Sequence, residues 1–129
     1  MSKRETPLTR AYWKQVGGTL IEEFVLVPRG ESNGVRLIDA IILPDEETKI
    51  LKQKNVVLEG KNVIAVQTKA KRLGMYLMGQ TIFSEELLKK YHKPKSIQSV
   101  ALCTKDDSVL RPLLESKPNR KVMVIEEQT

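Results

Sequence analysis

Cysteine is almost missing from this chain: Cys103 is the only one in 129 residues. That excludes a framework of intrachain disulfides and fits a reducing compartment. Aromatic residues make up only 5%, which counts against an extended platform for stacking single-stranded bases. There is one histidine, His92, inside the basic run KKYHKPK. It reads as a solvated helix-end residue, because a zinc site needs several His or Cys partners. No apolar run approaches the roughly 20 residues that cross a bilayer, and no internal repeat or low-complexity tract occurs. The opening MSKRETPLTR is polar and has no signal-peptide core. These absences predict a cytoplasmic protein with no membrane partner.

What is present is an ordinary globular composition, 40% hydrophobic and 29% charged, with a net charge of +6 and a pI near 9.5. A basic balance favours polyanionic partners, of which nucleic acid is the commonest. The length suits one domain over residues 1–129. Residues 1–9 read as a loose arm and about 106–129 as a C-terminal extension. In RAYWKQVGGTLIEEF, residues 10–24, the spacing of Tyr12, Val16, Leu20 and Phe24 predicts a helix. Gly17 and Gly18 weaken it, each costing about 1 kcal/mol against Ala. FVLVPRGES and GVRLIDAIILP predict two strands, the second closed by Pro44. Residues 45–61 form a polar connection with room for a short helix and a short VVLE strand. NVIAVQTK is the next strand; residues 72–91 are helical, with Met75, Met78, Ile82, Leu87 and Leu88 expected in the core, until Pro94 stops the helix. SIQSVALCT is a strand, VLRPLLES a helical turn and RKVMVIEE an edge strand. The order α-β-β-β-α-β predicts an α/β fold with a central mixed sheet flanked by helices.

Side chains alternate along a strand. Val63, Ala65, Gln67 and Lys69 therefore share one face, and Ile64, Val66 and Thr68 the other. Asp39 interrupts the apolar run of RLIDAIIL, and a buried carboxylate requires compensation. Lys69, Arg36 or a metal ion would each supply it. Pro44-Asp45 is followed by the polar EETK, so Asp45 reads as a turn or cap residue. Asp106 and Asp107 read as a turn after a strand.

An Asp on one strand and a Gln-X-Lys triplet on the next resemble the PD-(D/E)XK nucleases, the restriction-endonuclease-like superfamily. RLIDAIIL is similar to that family's first motif and VQTK to its second, and the element order over roughly residues 10–105 is similar too. Gln67 stands where the family usually has Glu or Asp; relatives of methylated-DNA restriction enzymes also carry Gln-X-Lys. The resemblance implies a restriction-endonuclease-like core and a Mg²⁺- or Mn²⁺-dependent DNA nuclease, an endonuclease of repair, recombination, restriction or mobile-element processing.

Asp39, Gln67, Lys69 and Glu23 are then the implied catalytic set. Asp39, the Gln67 side-chain oxygen, the Thr68 main-chain carbonyl and Glu23 are the implied metal ligands, with Lys69 orienting water or stabilising developing charge. The family's first helix often supplies a Glu. The arc of about 120° spanned by Tyr12, Trp13, Val16, Leu20 and Phe24 on a helical wheel includes Glu23, whereas the spacing in GTLIE resembles archaeal Holliday-junction resolvases and favours Glu22. Lys71 and Arg72 are expected phosphate contacts, with a solvated strand end as the alternative. Gln80 lies where relatives of the exonuclease V nuclease domain carry a helical Gln. So small a core calls for a homodimer or a larger protein complex to achieve selectivity. Two other functions fit the same residues: a catalytically inactive nuclease-fold module that binds DNA or joins a complex, and a basic partner protein whose Asp39 and Lys69 form a structural salt bridge.

Overall fold

Two consecutive glycines divide the segment that the spacing reads as one helix. In a computed structural model, which describes residues 1–52 and 56–127, helix α1 runs Glu5–Val16 and strand β1 runs Thr19–Val27. Gly17 has φ 80° and ψ −165°, and Gly18 has φ 81°, conformations that side chains resist. A Cβ on Gly18 would lie 2.4 Å from the Leu43 carbonyl oxygen, whereas one on Gly17 would meet only Thr48 Oγ1, at 3.5 Å. The helical spacing through Leu20 and Phe24 is thus coincidental, and β-prone residues after the glycines take the chain into the sheet. Gly17→Ala is expected to cost about 1–3 kcal/mol of backbone strain. Gly18→Ala adds an overpacking cost of about 1–3 kcal/mol. Urea unfolding of the two variants should rank them in that order.

The N-terminal arm is likewise structured. α1 begins at Glu5, and Leu8, Thr9 and Tyr12 are buried. Strand β2 spans Arg36–Leu43, β3 Lys49–Ile50, β4 Asn62–Thr68, β5 Ser96–Cys103 and β6 Arg120–Val124. Helix α2 covers Met75–Tyr91, and α3 is the single turn Arg111–Leu114. Among the described residues six strands lie in the order β3-β1-β2-β4-β5-β6. β1–β2 and β2–β4 are antiparallel, while β4–β5, β5–β6 and β1–β3 are parallel. The fold is therefore α/β, a mixed six-stranded sheet flanked by helices, with β6 at one edge as its sequence predicts. Among the described residues of 45–61 there is no helix, and VVLE is not a strand: Val57 is exposed while Leu58 is buried. Residues 53–55 of that connection, and 128–129 of the C-terminal extension, lie outside the described residues.

One core cluster packs Leu8 and Tyr12 of α1 against Leu20, Ala40, Ile42, Ile64, Val66, Val100 and Leu102. On the opposite face, Leu77, Met78 and Leu88 of α2 pack against the other alternating set, including Ile41, Ala65 and Ala101. A central strand covered on both faces needs a continuous apolar run, which is why RLIDAIIL and NVIAV look as they do. Met78 and Leu88 lie in the core as expected, and Ile82 and Leu87 at its margin. Met75 is exposed, because it falls outside the helical face defined by Leu77, Met78, Thr81, Glu85 and Leu88. His92 caps α2 but is half-buried, its Nε2 2.8 Å from the Leu26 carbonyl oxygen and its ring edge-on to Phe24. It is a packed residue, not a solvated one. No helix among the described residues is long and apolar enough to cross a membrane.

Candidate functional site

The regular alternation of both β1 and β2 breaks at one level. Ile21 and Phe24 lie in the same core cluster although three positions apart, and so do Ile38 and Ile41. Regular alternation would put the members of each pair on opposite faces. Between them stand Glu23 and Asp39. Glu22 pairs with Ala40 and Phe24 with Ile38, so Glu23 falls across from Asp39. Glu23 has φ 53°, a left-handed backbone that costs a non-glycine residue about 1–3 kcal/mol and is found preferentially at functional sites. Glu23 and Glu22 therefore belong to a strand, not to a helix. Glu22 is held by Arg10 through bonds of 3.1 and 2.8 Å.

The β2–β4 ladder runs through Ala40–Val66 and stops there. Side chains bridge the gap beyond it. Asp39 Oδ2 accepts the Thr68 N–H at 2.8 Å, and the Asp39 N–H donates to Gln67 Oε1 at 3.3 Å. Gln67, only 3% exposed, donates from Nε2 to Ser84 Oγ of α2 at 2.6 Å. Thr68 turns to the other face, where its hydroxyl meets that of Thr9 at 2.7 Å. The alternation read from NVIAVQTK is thus realised, and Gln67 ties strand to helix. One lone pair of its carbonyl oxygen receives Asp39, which leaves the second for another partner.

Lys69 shares the Gln67 face and sits 5.4 Å from the centroid of the Tyr76 ring. No ion pair within 4.0 Å joins Asp39 to Lys69 or Arg36 among the described residues. The Asp39 carboxyl is instead raised above its ordinary range. Burial is the main cause, opposed by the Thr68 N–H, the Met1 ammonium and Lys69. A cation placed beside it would relieve that cost. The structure already seats one: the Met1 α-ammonium lies 2.6 Å from Glu23 Oε1. Its pKa is raised, chiefly by the Glu23 hydrogen bond and further by Asp39 and Glu5. No group of three or more His, Cys, Asp or Glu side chains among the described residues is arranged to hold a metal. Mg²⁺, however, is commonly held by one or two carboxylates completed by water and substrate phosphate. Asp39 and Glu23 stand across from each other at this level, with Glu23 Oε1 taken by the Met1 ammonium.

Lys71 and Arg72 follow β4 and are exposed. Both line a cleft of about 700 Å³ with Lys105 and Arg4, and a smaller pocket that they share with Lys69 and Tyr76. Arg72 donates to the Asp106 carbonyl oxygen at 2.6 Å, so its guanidinium is partly engaged. Gln80 lines a separate groove on α2, which also reaches Gln67. Asp107 caps the turn before α3, accepting from the Val109 and Leu110 N–H groups, and Asp106 pairs with Arg111. Asp45 accepts from Asn62 in a turn. Asp45 therefore lies in a turn, while Asp106 and Asp107 stand just before one, in the connection that follows β5.

The sequence reading missed Ser84, Tyr76 and Glu5. Ser84 had a signal, because it lies on the buried stripe of α2 with Leu77, Thr81 and Leu88, where a polar residue needs a partner. Glu5, in the first turn of α1, was hidden by the assignment of residues 1–9 to an arm. Comparison with family models, curated proteins and solved structures finds no match for this chain.

Proposed function

We propose that this chain is a metal-dependent DNA nuclease with a restriction-endonuclease-like core. The observation that carries the reading is the convergence of Asp39 with Gln67, Thr68 and Lys69 where the β2–β4 ladder ends, beside exposed Lys71 and Arg72. A structural β-sheet has little reason to place a raised carboxyl, a left-handed Glu and an unpaired-strand gap at one level. Asp39 and Glu23 would hold Mg²⁺ or Mn²⁺, with the Gln67 side-chain oxygen and the Thr68 carbonyl as further donors. When bound, the metal would supply Lewis-acid polarisation of the scissile phosphate and a more acidic water. The chain's own contribution is positional and electrostatic. Gln67 and the Thr68 N–H hold Asp39 in place from two sides. Lys69, steadied against the Tyr76 ring, presents an ammonium that orients water or stabilises charge on phosphate oxygens. Lys71 and Arg72 hold the DNA backbone near that ammonium.

The test is incubation of the purified protein with duplex, branched and single-stranded DNA in Mg²⁺ or Mn²⁺. Cleavage is expected in the native protein, and Lys69→Met should lower it by about 10²- to 10³-fold with little change in DNA affinity. Gln67→Glu should shift metal preference by no more than about tenfold to a hundredfold. A second reading, an inactive nuclease-fold module that binds DNA, is favoured by one observation: both ends of the Gln67 amide are engaged by the protein. Cleavage seen only in Gln67→Glu would establish that second reading.

A further inference from the structure

Along α2, Tyr76, Gln80 and Phe83 follow one another at helical spacing beside the buried stripe, and the two rings are 70% and 69% exposed. With Leu37 and Arg36 of β2 they line a groove of about 480 Å³ whose floor includes Gln67. That size is within the range of small-molecule sites. Tyr76 is also a wall of the pocket that holds Lys69, Lys71 and Arg72. Tyr76 thus joins the groove to the candidate site, and Arg36 adds a cation to the groove's lining.

We propose that this groove seats one unpaired base of the DNA strand, so that the substrate carries single-stranded nucleotides beside the scissile phosphate. The inference rests on the nuclease reading and names its substrate class. A base offers a flat apolar face and a polar edge, and the groove offers the complement: the Phe83 ring for the face and the Gln80 amide for the edge. Gln67 bonds Asp39 and Ser84 and is only 3% exposed, which leaves Gln80 to read the edge. The phosphates flanking such a base would meet the cations of the two linings that Tyr76 shares, Lys69, Lys71 and Arg72 in one and Arg36 in the other. That cationic frame suits a polyanion and opposes a second copy of a chain carrying a net charge of +6. Bases inside a duplex have both faces stacked and cannot enter. The scarcity of aromatics excludes a long stacking track, but a single seat needs only one or two rings.

Phe83 gives the cleanest probe, since Tyr76 also supports Lys69. Fluorescence anisotropy at one fixed salt concentration, with EDTA present, would compare labelled oligothymidylate with a blunt duplex of equal length. Phe83→Ala is expected to weaken oligothymidylate binding about tenfold or more and duplex binding by less than about twofold. Lys71→Ala should weaken both. Phe83→Leu keeps apolar volume without a flat ring and should behave like Phe83→Ala, which guards against a folding defect in the latter. Unchanged oligothymidylate binding in both Phe83 variants, or equal losses on the two ligands, overturns the proposal. So does a wild-type dimer in sedimentation that Phe83→Ala dissociates. Selective loss of single-strand binding in a protein that cleaves nothing with Mg²⁺ or Mn²⁺ upholds the groove and removes the nuclease. Cleavage by a protein whose Phe83 variants bind normally does the reverse.

Discussion

Asp39→Asn is expected to abolish DNA cleavage, by at least about 10²- to 10³-fold, while leaving the protein folded and no less stable at neutral pH. An amide oxygen can still accept the Thr68 N–H that Oδ2 accepts now at 2.8 Å, so the strand gap stays closed. What disappears is the charge. Burial raises the Asp39 carboxyl, which means the folded protein binds a proton there more readily than the unfolded chain does. The sign follows: this group alone makes stability increase as pH falls through its raised folded value, and ionisation at neutral pH is a cost. Removing the charge removes the cost. Asp39→Ala differs, because the Thr68 N–H loses its acceptor, at about 1–3 kcal/mol. Thermal unfolding with and without Mn²⁺ supplies the second readout: the metal should raise the midpoint of the native protein and not that of Asp39→Asn. A large loss of stability in Asp39→Asn without metal would instead mark the residue as part of a structural charge pair and sink the nuclease reading.

The strand that carries Gln67 and ends just before Lys69 was legible because alternation over seven residues is a property of the local chain. Val63, Ala65 and Gln67 lie on the α2 face, and Ile64, Val66 and Thr68 on the α1 face, as NVIAVQT implies. Asp39 was legible for a related reason, since a carboxylate amid Leu, Ile and Ala needs a cause. The N-terminal segment was not. Tyr12, Val16, Leu20 and Phe24 satisfy helical spacing, yet Leu20 and Phe24 serve opposite faces of a strand whose alternation breaks at Glu23. A local break in the ladder leaves no mark in composition, so the conformation of Glu23 could not be read in advance. The same limit hid the pairing of Gln67 with Ser84, which depends on how α2 lies on the sheet. Gly17 and Gly18 were the available warning, and their positive φ values give the reason.

Glu85→Gln is expected to produce the largest loss of stability, about 3–5 kcal/mol, the usual effect of breaking a buried charge pair by removing one partner. Glu85 lies on α2 and is 1% exposed. Burial pushes its carboxyl up, but Arg120, Ser99 and Lys89 donate to it and bring it down to about 2, from an ordinary 4.5. Asn119 Nδ2 adds a bond of 2.9 Å, and Arg120 reaches both oxygens, at 3.2 and 3.0 Å. One carboxylate thus pins α2 to β5 and to the start of edge strand β6. Its neighbour Ser84 holds Gln67, which receives the Asp39 N–H, so the latch also fixes the helix on which the candidate site leans. The pH dependence is opposite to that of Asp39. A depressed carboxyl stabilises the fold above its unfolded value, and the benefit is lost as pH falls from about 4.5 toward about 2. The full difference corresponds to about 3 kcal/mol. Urea midpoints measured across that window should fall steeply for the native protein and less steeply for Glu85→Gln, in which the other depressed carboxyls, among them Glu115 and Asp106, still titrate. Arg120→Met should cost a comparable amount, because it leaves the carboxylate buried without its bidentate partner. The double variant should then lose less than the sum of the two, as residues sharing one network do; strict additivity would mean that Glu85 and Arg120 stabilise the sheet independently.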